Sequence, residues 1–281
     1  MTISDQDTQL FITTLKNYSG YDFSDYSGKS LNRRLAKVLM DNKMDIYTLN
    51  ATLRKDQSFL EKVVKDITVN TTELFRDPQI WHSLKYKVLP KFKNHKTINI
   101  WHAGCSTGQE VYSMLILLSE MNMLDRTKIY ATDLNADVLE TAKKGTYRYR
   151  FNIGYLDNFD KVIKENPYNY DEFNDVPYSK YFTIDKSADV IRMNEDLTQK
   201  PVFRKHDLVR DINIFYLKFD IIFCRNVIIY FNYDLQNRVF RLFHENLYNG
   251  GVLVMGAHET ILGPYTAYFE RSNQVHFKNE I

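Results

Sequence analysis

Apolar residues recur at helical spacing from the N-terminus to about residue 68. Leu10, Phe11, Thr14 and Leu15 begin one stripe, and Leu31, Leu35, Val38 and Leu39 make another at i, i+4, i+7 and i+8. "DIYTLNATLRKD" and "QSFLEKVVKDI" continue the pattern, with Asp45 and Asp56 placed to cap helix N-termini. No period-two alternation interrupts this stretch, so residues 1–68 are expected to form a small all-α domain.

From residue 97 the rhythm changes. "TINIWHAG" reads as a strand running into a glycine turn, and "QEVYSMLILLSEM" as the helix after it. "KIYATDLN" is a second strand, followed by the helix "ADVLETAKKG", which ends at a glycine placed as C′. Later come "PVFRKHDL", "FDIIFCRNVIIYF", the helix "YDLQNRVFRLFHENL", an expected turn "NGG" and the strand "VLVMGA". Short apolar strands alternating with helices predict parallel βαβ units in an open α/β sheet. The ending predicts an antiparallel hairpin, Tyr268–Arg271 with Val275–Lys278. Residues 146–200 break the pattern, being rich in Tyr, Asn and Asp. They read as an insertion within a 69–281 domain, with a small hairpin near Tyr181–Ile184 and Val190–Met193.

Composition adds exclusions rather than a function. The chain has 281 residues, 44% hydrophobic and 26% charged, as ordinary globular proteins do. A net charge of +2 is not that of a nucleic-acid-binding domain. No run of about 18 apolar residues predicts a membrane span, and the N-terminus lacks a signal-peptide pattern. Cys105 and Cys224 lie far apart, and the seven histidines show no ligand-type spacing, so reduced thiols, a cytoplasmic location and no metal site are expected.

The candidate chemistry lies at the strand ends. In "IWHAGCSTGQE" Gly104 and Gly108 are four apart, which fits neither G-x-G-x-x-G nor a P-loop. A strand, a small-residue turn and a helix start remain, either an ordinary tight turn or a place where backbone meets a ligand. Glu110, near the helix start, is placed to receive a cationic group. Asp133 ends the second strand, where it can accept ribose hydroxyls or cap the next helix. Asp207 in "RKHDL" can accept an adenine amino group or form a turn. Arg225 and Asn226 follow a buried strand and need partners, a core carboxylate among them.

Taken in order, "VNTTELFRDP", "IWHAGCSTGQEVYS", "IYATDLN", "HDL" and "CRNVIIYF" resemble the CheR-type chemotaxis methyltransferases along essentially the whole chain. The resemblance implies a Rossmann-like class I methyltransferase sheet, mostly parallel with an antiparallel C-terminal hairpin, behind an N-terminal all-α domain. It implies methylation of chemoreceptor glutamates by S-adenosylmethionine, leaving S-adenosylhomocysteine. On matching positions, Asn70, Thr72 and Arg76 line the methionine end of the cofactor, and Glu110 holds its amino group beside the Gly104 turn. Asp133 takes the ribose, Asp207 and Leu208 flank adenine, Arg225 and Asn226 complete the pocket, and Tyr230 sits by the reacting methyl. Arg76 and Tyr230 are the expected catalytic pair. Gln109 stands where the family has a second acid and Asp207 where Asn is frequent, and 146–200 lacks an obvious glycine-rich peptide-docking loop.

A basic helix face carrying Lys29, Arg33, Arg34 and Lys37 is expected to dock the glutamate-rich cytoplasmic helices of a receptor. No nucleic-acid partner and a monomeric state are expected. A methyltransferase for RNA or a small molecule, and a non-catalytic cofactor-binding regulator, are the competing readings.

Overall fold

The computed structural model describes residues 3–68 and 70–280. Its contacts gather residues 1–69 with 227–240 into one compact unit, and 70–226 with 241–281 into another. The segment 227–240, read from its sequence as part of the sheet domain, therefore folds with the helices.

The helical unit is built from α1 (Asp5–Ser19), α2 (Gly28–Asn42), α3 (Ile46–Lys55) and α4 (Gln57–Ile67). Its boundaries follow local chemistry. Ser4 and Asp7 close a capping box on α1, and Gly20 ends that helix in the left-handed region. Asp45 and Asp56 accept the amides of Thr48 at 2.7 Å and Phe59 at 2.9 Å, as their positions predict. The apolar stripes meet in a core of Phe11, Leu15, Leu35, Leu49, Leu60 and Ile67. The returning segment is pinned by backbone: Ser27 N–H donates to the Tyr230 carbonyl at 2.8 Å, and Tyr26 bridges Phe231 antiparallel.

The second unit begins with α5 (Pro78–Ser83), which continues through a π turn and a 3-10 turn to residue 92. Its sheet is built from β1 (Ile98–Ala103), β2 (Thr127–Asp133), β6 (Val202–Lys205), β7 (Phe219–Cys224), β8 (Leu247–Met255), β9 (Phe269–Ser272) and β10 (Val275–Lys278). The strand order is β6-β2-β1-β7-β8-β10-β9. β6, β2, β1, β7 and β8 run parallel, and β10 pairs antiparallel with β8 and β9. This is the expected mostly parallel sheet with a C-terminal hairpin. Crossovers run through α6 (Gln109–Glu120), α7 (Ala136–Lys144) and α10 (Tyr233–Asn246). In β7 "FDIIFC", buried along its whole length, Ile221–Cys224 form the apolar run of a two-sided parallel strand, and buried Asp220 is satisfied by accepting from Asn99 N–H at 2.8 Å.

"NGG" is not a turn before β8 but lies inside it, where the register with β7 shifts between Phe219 and Ile221. Gly250 sits at φ +71°, and a Cβ on Gly251 would lie 2.8 Å from the Tyr248 carbonyl, so the bulge requires both glycines.

The inserted segment forms a second, antiparallel sheet from β3 (Thr146–Arg148), β4 (Phe182–Asp185) and β5 (Val190–Met193), in the order β3-β5-β4. It also carries the short α8 (Gly154–Phe159) and α9 (Glu195–Thr198). Phe159 and Phe182, both fully buried, join it to the main core.

Candidate active site

The parallel strands place their carboxyl ends, and the turns that follow them, along one edge of the sheet. After β1 the chain turns through Gly104 at φ +79° and Ser106 at φ +52° to Gly108 at φ +90°. A Cβ on Gly108 would lie 2.8 Å from that of Ala142, so only glycine lets α6 start this close to α7. Asp133, at the end of β2, accepts from Ser106 N–H at 2.8 Å and from Asn135 N–H at 2.9 Å. The cap of α7 is Asn135, not Asp133. Burial pushes the Asp133 carboxyl above its ordinary pKa, against the pull of those amides.

Glu110, in the first turn of α6, is the hub of a buried charge cluster. His102 of β1 donates from Nδ1 to its Oε1 at 2.9 Å, and Arg225 donates from Nη1 to its Oε2 at 3.1 Å. Burial pushes this carboxyl up, but His102 and Arg225 outweigh that, and its pKa lies below the usual value. Arg225, just past β7, also donates from Nη2 to Asp77 at 2.8 Å and to the Arg76 carbonyl at 2.9 Å, and its guanidinium lies 5.9 Å from the Trp81 ring centroid. Its side chain is 2% exposed. The core-carboxylate pairing is therefore the observed one, and Arg225 acts by holding Glu110 and the Arg76–Asp77 bend.

That bend is strained and heavily tied. Phe75 and Asp77 have φ of +51° and +56°, on either side of Arg76. Phe75 N–H donates to Ser113 Oγ at 2.7 Å, and the Arg76 carbonyl also receives Trp81 Nε1 at 3.0 Å. The insertion grips the same segment: Tyr155 Oη donates to the Thr72 carbonyl at 2.8 Å, and Asn158 Nδ2 to that of Leu74 at 3.3 Å. Thr72 and Asn70 are half-buried along it. The Arg76 guanidinium reaches the Thr71 carbonyl at 3.3 Å.

Asp207, after β6, accepts from Val209 N–H at 2.9 Å, and burial pushes its carboxyl up; Leu208 beside it is half-buried. Asn226 is left-handed at φ +59°, with its N–H donated at 2.7 Å to the buried carboxylate of Glu259, which also accepts Gly256 N–H at 2.8 Å.

Five expected site residues lie in the helical unit: Tyr230, Lys29, Arg33, Arg34 and Lys37. Tyr230 packs there under the guanidinium of Arg34, 4.2 Å from its ring centroid. Arg34 is 8% exposed and donates from Nη1 to the Ile67 carbonyl, so it is not part of an exposed docking face. Its position on α2 beside Leu35 turns it inward. Lys29, Arg33 and Lys37, four residues apart, remain exposed on that helix.

Asp77, His102, Ser113, Tyr155 and Glu259 were not singled out by sequence. Asp77 lay inside the quoted "FRDP" motif, and His102 in "IWHAG". Nothing in the sequence marked Tyr155 or Glu259.

A parallel sheet with an antiparallel C-terminal hairpin, a glycine turn after β1 and a carboxylate at the end of β2 define a class I methyltransferase fold. The family model for the CheR methyltransferase SAM-binding domain matches residues 70–277, and that for the CheR all-alpha domain matches 6–68. The chain belongs to the CheR methyltransferase family. It is 34% identical to Cher3 of Pseudomonas putida over 95% of this chain and 93% of that protein. It is 28% identical to the chemotaxis protein methyltransferase of Listeria monocytogenes, over 92% of each. The glycopeptide N-methyltransferase MtfA complexed with sinefungin overlays with a TM-score of 0.35 at 10% identity, over 66% of this chain and 50% of its own, too slight a likeness to add to the assignment.

The residues present fit S-adenosylmethionine. Ser106 Oγ is buried in the glycine turn with no partner among the described residues. The amide of the same residue is bonded to half-buried Asp133, and half-buried Glu110 lies in the first turn of the helix that follows, acceptors suited to a ribose diol and an ammonium group. Among the described residues, no helix is long and apolar enough to cross a membrane, and no three His, Cys, Asp or Glu side chains cluster as metal ligands would.

Proposed function

We propose that this protein methylates glutamate side chains on the cytoplasmic helical domain of chemoreceptors, giving glutamyl methyl esters, and that it works as a cytoplasmic monomer. The observation that carries the reading is the Glu110–Arg225–Asp77 cluster, which fastens the Arg76 bend to the helix start where the cofactor's amino group is expected. The names of the relatives supply the substrate class.

Bound S-adenosylmethionine supplies a methyl on a sulfonium, which a substrate carboxylate oxygen takes in line while the electron pair of the broken bond stays on sulfur. Glu110 receives the ammonium group with the lone pairs that His102 and Arg225 leave free. Asp133 accepts the ribose hydroxyls, Asp207 accepts the adenine amino group, and Asn70, Thr72 and Asn226 wall the pocket. Arg76 orients the incoming carboxylate through charge-assisted hydrogen bonds, and Tyr230 packs beside the methyl. An ionised carboxylate needs no general base, so positioning and exclusion of water, up to about 7–11 kcal/mol as effective molarity, carry the catalysis. Lys29, Arg33 and Lys37 steer acidic receptor helices toward the enzyme.

The test offers methyl-labelled cofactor with a chemoreceptor cytoplasmic fragment and, separately, with RNA. Label on the fragment that mild base releases as methanol supports the reading. Label on RNA, or base-stable label on protein, overturns it.

A further inference from the structure

Beyond the Arg76 bend, the wall of the second unit opens into a groove of about 510 Å³ that none of the roles above uses. One side is Pro78 and His82 of α5. The other is the loop 165–175 of the insertion, with Glu165, Tyr170, Glu172 and Phe173 on the lining. Its volume is that of a ligand pocket, roughly 300–1,000 Å³.

Both walls are ordered. His82 Nε2 donates to the Lys161 carbonyl at 2.8 Å, and Lys85 Nζ to that of Val162 at 3.0 Å, which ties the π turn after α8 to α5. Within the loop Glu165 bridges Phe173, Asn174 N–H donates to the Lys164 carbonyl at 2.8 Å, and buried Asn166 donates from Nδ2 to Glu172 at 2.9 Å. This framework holds Tyr170 92% and Phe173 64% exposed. Large aromatics held open on a fixed loop are the anchors of protein-recognition surfaces.

Charge selects the occupant. In a chain of net charge +2, residues 165–175 carry four acids and no base; two of the acids, Glu165 and Glu172, line the groove, where Lys161 is the one formal cation among the described residues. Exposed aromatic faces beside carboxylates favour a guanidinium or ammonium group, which gains from both. Pro78 directly follows Asp77, which is bound to Arg225, so the groove adjoins the segment that carries Arg76.

We propose that this groove is a substrate-docking site that takes an arginine or lysine side chain of the methyl-accepting helix, flanking its target glutamate. The inference rests on the proposed receptor-methylating function and adds a specificity rule to it: acceptor helices with a nearby cation are preferred.

The test uses the full chain and a dye-labelled helical peptide with one central glutamate and flanking arginines, against its citrulline counterpart. Tyr170→Ala/Phe173→Ala and Glu165→Lys, all at exposed positions, are compared with wild type in binding and methyl transfer. The expected result is about tenfold tighter binding of the arginine peptide by wild type, equivalent to roughly 1.4 kcal/mol. That preference should be lost in both variants, with cofactor affinity unchanged. Equal binding of the two peptides by wild type, no binding of either, or an undiminished preference in both variants overturns the proposal. If the arginine preference holds but neither peptide accepts a methyl, the groove stands and the receptor-methylating reading is what fails.

Discussion

The Arg34 guanidinium lies 4.2 Å from the centroid of the Tyr230 ring, and the same side chain donates to the Ile67 carbonyl at the end of α4. One arginine of α2 thus joins a helix end to the residue proposed to face the methyl. A desolvated cation over an aromatic face contributes about 2 kcal/mol, and a hydrogen bond from a charged donor about 1.5–3. Arg34→Ala is expected to destabilise the protein by about 2–4 kcal/mol in urea unfolding. Below its unfolding range it should lower kcat by at least about tenfold while calorimetric cofactor affinity holds, as expected for a positioning residue. Arg34→Lys should restore part of the stability and little of the turnover, because an ammonium keeps the charge and loses the planar fork. Normal kcat in Arg34→Ala would remove Arg34 from any role at Tyr230.

Glu110 and Arg225 give a second prediction. Glu110→Gln keeps the volume but leaves the guanidinium with Asp77 as its one carboxylate partner among the described residues. Breaking a buried ion pair costs about 3–5 kcal/mol when the charge is orphaned, so a loss of about 2–4 is expected here. Cofactor affinity should fall in the same variant, since the proposed ammonium acceptor loses its charge. A variant with wild-type unfolding midpoint and wild-type calorimetric affinity would count against both roles.

Glu259 shows where reading from sequence stops. Gly104, Glu110, Asp133, Arg225 and the bend around Arg76 sit at strand ends or inside short motifs, where position along the chain fixes position at the sheet edge. The sheet and the four N-terminal helices were legible for the same reason: burial imposes its period on the residues. Which way Arg34 points was not legible, because a basic run on a helix looks the same whether one member turns inward or all face water. The return of 227–240 to the helical unit, the "NGG" bulge and the grip of Tyr155 on the Thr72 carbonyl are long-range matters of packing, with no local signature.

The Glu259 carboxylate accepts the amides of both Asn226 and Gly256 and is 4% exposed. Truncation leaves two amides without acceptors, at about 1–3 kcal/mol each. Glu259→Ala is expected to lower stability by about 2–4 kcal/mol and to weaken cofactor binding, because Asn226 is no longer held at φ +59°. Glu259→Gln, which keeps an acceptor oxygen, should recover most of both. If Gln and Ala behave alike, the charge rather than the hydrogen bonding matters at this position.

His276 on β10 supplies the last prediction, in pH. It is 2% exposed, pairs with Leu253 in the sheet, and neither ring nitrogen has a partner among the described residues. Burial, helped by the nearby charge of Arg271, lowers its pKa from 6.5 to about 4. Between those values the unfolded chain binds the proton and the folded one does not, so stability rises with pH across the window. The contribution is complete above about pH 6.5 and is lost as pH falls toward 4, about 3 kcal/mol in all at roughly 1.36 kcal/mol per pKa unit. Urea midpoints taken from pH 7 down to pH 4 should therefore fall more steeply for wild type than for His276→Phe, which has no proton to gain. Parallel slopes for the two proteins would mean that His276 is protonated in the folded sheet, contrary to its burial.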